Sequence, residues 1–84
     1  MKKSLQYYQS LNYEMVIDYD YHEKYFVVLL PELPGCMADG TTIRKAINMA
    51  LIVKNDWLET AYKEKWEIPL PKTLLDKLGK TIKH

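Results

Sequence analysis

Hydrophobic and polar residues alternate most clearly between positions 13 and 20, where Tyr13, Met15, Ile17 and Tyr19 point one way and Glu14, Val16, Asp18 and Asp20 the other. A period of two predicts a strand with one buried face. Tyr21, His22 and Glu23 form the expected turn. The run KYFVVLL at 24–30 is aromatic and β-branched and predicts a second strand, covered on both faces. Pro31 closes that strand, because proline has no N–H for a ladder. Together the two runs predict an antiparallel hairpin over residues 13–31.

Ahead of the hairpin, residues 4–11 suit a short helix with Ser4 as its cap. After it, PELPGCMADG packs two prolines and two glycines into ten residues, with Gly35 and Gly40 free to adopt positive φ. Cys36, Met37 and Ala38 between them predict a short third strand. The pattern then changes to steps of three and four. Ile43, Ala46, Ile47, Ala50, Val53, Trp57 and Ala61 form one apolar face of a helix over 42–66, capped by Thr42. Met49, Leu51, Ile52 and Leu58 widen that face beyond a stripe, and Trp57 is expected to be substantially buried. Ile68 and Leu70, alternating with prolines at 67–71, predict a short fourth strand at a sheet edge. The tail KTLLDKLGKTIKH suits a short amphipathic helix with Leu74, Leu75 and Leu78 inward and Gly79 as its stop. The pattern as a whole is α+β: an antiparallel sheet of three strands plus a short fourth edge strand, packed against one long helix, with a short N-terminal helix.

Size and charge sharpen this picture. A chain of 84 residues supports one domain with a marginal core. That core, the surplus of apolar helix surface and the strand edges favour a homodimer or higher homo-oligomer. Seven Tyr against one Phe suit half-exposed sheets and interfaces. The net charge of +1 hides an asymmetry. Residues 13–39 carry six acids against Lys24 alone, for −5, whereas residues 40–84 carry +4. An acidic sheet region attracts basic partners and repels phosphate. The single cysteine excludes an intrachain disulfide and a cysteine zinc site. No segment approaches the ~20 apolar residues of a membrane span, so no membrane contact is expected. No apolar signal core follows Met1–Lys3, and the expected location is cytoplasmic.

Four stretches together resemble the HicB family of antitoxins: the aromatic opening LQYYQSLNYEMVIDYD, the strand and turn YFVVLLPELPGC, the glycine-to-helix junction MADGTTIRKAINMA, and the later IPLP. The resemblance covers residues 5–71. It implies a partial ribonuclease-H-like fold and a role as antitoxin to HicA, a small basic double-stranded-RNA-binding-like toxin that cleaves messenger RNA. The antitoxin domain of that family covers the toxin's active surface. Joined to the −5 imbalance, it makes Glu14, Asp18, Asp20 and Glu23 the expected steering charges and Tyr19 and Tyr25 the expected anchors. Antitoxins of this family often add a C-terminal ribbon-helix-helix or helix-turn-helix module. Thirteen residues follow Pro71, fewer than either needs. The expected organisation is therefore a HicB-like domain over 1–71 and a basic tail over 72–84.

Catalytic chemistry finds little support in the residues. Asp18 and Asp20 lie on one strand face with Glu14, but a metal nuclease needs carboxylates converging from several elements. Their ordinary role is a solvated acidic face. His22 and His84 sit in a turn and at the terminus, and Cys36 has no histidine at a spacing that would activate it. No enzymatic activity, metal or cofactor is expected. Two further readings remain open: a stand-alone homo-oligomeric domain of this fold that binds a small ligand or regulates, and a DNA-binding regulator using Lys72, Lys77, Lys80 and Lys83. Nucleic acid contact through that tail is undecided by the residues.

Overall fold

The computed structural model describes residues 3–82, and only the backbone of 78–82. The elements follow the order α1 (Leu5–Gln9), β1 (Val16–Asp20), β2 (Tyr25–Leu29), β3 (Met37–Gly40), α2 (Ile43–Lys63) and α3 (Lys72–Ile82). The strands form an antiparallel sheet in the order β1-β2-β3, which leaves β1 and β3 as edges. The α+β class and the three antiparallel strands under a long helix agree with the sequence pattern.

β1 is shorter than the alternation suggests. Val16 is the last residue to find a partner, Leu29. Beyond it the chain bonds toward β3, with Leu30 donating to the Cys36 carbonyl at 3.0 Å. The Glu14 N–H is instead taken by the Glu32 carboxylate at 2.9 Å. The hairpin turn is set by Asp20, whose Oδ1 accepts from the amides of His22 at 2.9 Å and Glu23 at 3.0 Å. Lys24 adopts φ 58 and belongs to this turn, not to β2.

α2 lies across β3 and β2. Ala46, Ala50, Leu58 and Ala61 are fully buried, together with Val28, Leu30 and Leu33 beneath them. Each of the larger side chains contributes about 1.5–3 kcal/mol by leaving water. Gly40 explains how closely the helix approaches: a Cβ there would stand 2.5 Å from the Ala46 nitrogen. Gly35 has the positive φ expected of it (77°), whereas Gly40 is required for contact and not for conformation. Thr42 caps α2, accepting from the Lys45 amide at 3.1 Å. The helix ends where Lys65 takes φ 60 and the Trp66 amide reaches back to the Ala61 carbonyl at 2.8 Å, a six-to-one closure made without glycine.

Several expectations are corrected. Leu58 belongs to the core, while Ile43 is exposed at the helix start. Trp57, by contrast, is packed against the core as expected, with its Nε1 donating to the Pro34 carbonyl at 2.9 Å. β2 is covered on one face only. Residues 67–71 make no ladder, so the described sheet has three strands and no fourth edge strand. Two of those five residues are prolines without an N–H, and the segment is tied down by the Tyr13 hydroxyl, which donates to the Pro69 carbonyl at 2.6 Å. The tail is helical, but it continues through Gly79 to Ile82. Leu74 is half-buried and Leu75 exposed. The side chains of Leu78, Lys80, Lys83 and His84 lie outside the described residues.

Lys54 is a polar core residue that the periodicity concealed. It is 8% exposed, and its Nζ donates to the Gln9 and Leu11 carbonyls at 3.1 and 3.4 Å. It thereby satisfies carbonyls at the C-terminal end of α1 that the helix leaves unpaired. Burial lowers its pKa from the ordinary lysine value, opposed by nearby Cys36.

Candidate partner-binding face

The register decides which residues share the uncovered face of the sheet. Val28 and Phe26 face α2, so their cross-strand partners Ile17, Tyr19, Ala38 and Gly40 do too. The other face carries three rows across the strands. Val16, Leu29 and Met37 form the first, Asp18, Val27 and Asp39 the second, and Asp20 with Tyr25 the third. The first row is apolar and open to water: Val16 is 43% exposed, Leu29 38% and Met37 54%. The second sets two exposed carboxylates on either side of a half-buried valine. An apolar band bordered by acids can exclude water from a contact while its charges orient a basic partner.

The six expected site residues therefore divide. Asp18, Asp20 and Tyr25 share the open face. Tyr19 lies on the helix-facing side, in edge contact with Phe26 at 4.8 Å and Tyr21 at 4.9 Å between ring centroids. Glu23 is exposed in the hairpin turn, and Glu14 precedes β1, outside the ladder. Asp20 also has structural work, since its carboxylate holds the turn. Val27, Leu29, Met37 and Asp39 are the face residues that sequence reasoning missed, while the alternation had already placed Val16 on this side. The all-apolar run of β2 hid which side was open, and the two residues of β3 become neighbours only through the register.

The remaining chemical groups are quiet. Cys36 is 3% exposed, and burial raises its thiol pKa, which disfavours the reactive thiolate. Tyr13 is pushed up to about 12 by burial first and then by the Glu32 carboxylate and its tyrosine neighbours. Among the described residues no group of three His, Cys, Asp or Glu side chains is placed to hold a metal, and no helix is long and apolar enough to cross a membrane.

Residues 13–83 match the family described as HicB-like antitoxin of bacterial toxin-antitoxin systems. A UPF0150 protein of Synechocystis sp. (strain PCC 6803) is 41% identical over 59 residues, covering 70% of this chain and 80% of the relative. No solved structure gives a significant match. With the family match spanning nearly the whole sheet-and-helix unit, the chain belongs to the HicB-like antitoxin family of bacterial toxin-antitoxin systems.

Proposed function

We propose that this chain acts as an antitoxin by binding and not by catalysis, laying the open face of its sheet on a basic HicA-type toxin in the cytoplasm and so covering the surface that cleaves messenger RNA. The observation that carries this reading is the pairing of an exposed apolar row with an adjacent acidic row on one uncovered face. The apolar row supplies burial, and the acids steer a positive surface. Asp18 and Asp39 are the charges to test, because reversing Asp20 would also dismantle the hairpin turn. Asp18→Lys with Asp39→Lys should slow association with a cognate HicA-type toxin by roughly tenfold at low salt and much less at high salt. Leu29→Ala should instead speed dissociation. Stopped-flow association that is unchanged by the double reversal would mean that the acids are only a solvated surface.

The unpaired edges of β1 and β3 also favour self-association, and we propose a homodimer as the working state. Light scattering at micromolar concentration would refute this by returning a monomer mass.

A further inference from the structure

A recess lies away from the open sheet face, where the end of α2 meets the β2–β3 loop and the segment after the helix. Its cavity is about 550 Å³ and is lined by Pro34, Asp56, Trp57, Thr60, Trp66, Glu67 and Pro69. Trp57 and Trp66 form two of its walls, with ring centroids 6.0 Å apart and planes inclined at 65°. One ring and the other residue's backbone are held in place. Trp57 spends its Nε1 proton on the Pro34 carbonyl, and Trp66 follows the closure at Lys65 that ends α2. Trp66 nevertheless remains 52% exposed, so a large ring stands against water.

The charge of the lining selects the occupant. Asp56 and Glu67 are its charged groups, and among the described residues no cationic side chain lines it. An anion would be repelled. A neutral apolar group would bury the rings but desolvate two carboxylates without return. A cation gains twice, from the negative faces of the indoles and from the carboxylates. A flat guanidinium suits these walls better than a compact ammonium, because it can stack on an indole while its N–H groups reach the rim. We propose that this recess is a binding site for an arginine side chain presented by a basic protein partner. None of its lining residues belongs to the open sheet face, so the site does not depend on the toxin reading.

The test uses the full chain, with its indole Nε1–H resonances followed by NMR during titration with a capped Gly-Arg-Gly peptide and with the isosteric citrulline peptide at matched ionic strength. The arginine peptide should shift both indole signals saturably, and the citrulline peptide should leave them in place. Trp66→Ala should weaken binding roughly two- to fivefold, the loss expected for one exposed cation–π contact. The double variant Asp56→Asn, Glu67→Gln should also weaken it and remove its salt dependence, and it decides the matter alone if Trp66→Ala does not fold. Equal binding of the citrulline peptide, or parental affinity in the double variant, would overturn the proposal. Shifts of the indole signals with protein concentration alone would assign the recess to a contact between copies and overturn it as well.

Discussion

Gly40→Ala is the most severe small substitution that the structure specifies. The added Cβ would lie 2.5 Å from the Ala46 nitrogen, 2.9 Å from the Lys45 carbonyl carbon and 3.0 Å from the Ala46 Cα. All three are backbone atoms of α2, so no side chain can rotate out of the way. The first turn of the helix would have to retreat by roughly 1 Å, loosening the contacts that bury Ala46 and Ala50. Overpacking of this kind costs about 2–3 kcal/mol. A domain of this size has about 4–12 kcal/mol in total. With a urea slope of about 1 kcal/mol/M, the midpoint should fall by roughly 2–3 M at unchanged slope. Gly35→Ala is the control. Its φ of +77° strains an alanine, but nothing lies within 4 Å, so its cost should stay near about 1 kcal/mol. Urea unfolding followed by circular dichroism measures both. A Gly40→Ala stability within about 0.5 kcal/mol of the parent, or a larger loss at Gly35, would refute the close-contact argument.

Glu32 bridges two segments through backbone donors, accepting from Glu14 and from Lys72 at the start of α3. Glu32→Gln leaves one of those amides without an acceptor; it should cost about 1 kcal/mol, and hydrogen exchange at both amides would detect it, unchanged protection being the contrary result. Tyr13 stays protonated in the folded chain up to about 12, against 10.0 when unfolded. The unfolded state therefore loses its proton first, and stability falls as pH rises from 10 to about 12. The loss across that window is on the order of 2–3 kcal/mol. Tyr13→Phe should be weaker at neutral pH by about 1 kcal/mol, from the lost bond to Pro69, yet flatter across that alkaline window; parallel pH profiles would contradict this. Lys54→Ala should cost about 2–4 kcal/mol and release α1, because it removes both the packed stem and the charge-assisted bonds to Gln9 and Leu11; native-like amide protection in α1 would argue otherwise.

Local patterning determined most of the elements. Period two at 13–20, the apolar run at 24–30 and the three-and-four spacing from Ile43 to Ala61 each declared their type, since side-chain periodicity follows directly from backbone geometry. The caps at Ser4 and Thr42 were legible for the same reason: both accept from the amide three residues on. The family was also legible, because its motifs are local strings. Pairing was not. Residues 13–15 alternate like a strand but meet no partner, and residues 67–71 alternate but find no ladder, because a strand exists only where a neighbour offers its hydrogen bonds. The open face depended on register, which placed Met37 and Asp39 beside Leu29 and Val27, whereas alternation alone had already set Tyr19 opposite Asp18. Tertiary contact also assigned Gly40 to close packing, buried Lys54 against the end of α1 and brought Trp66 to Trp57, since each of these depends on distances between residues that the chain itself keeps apart.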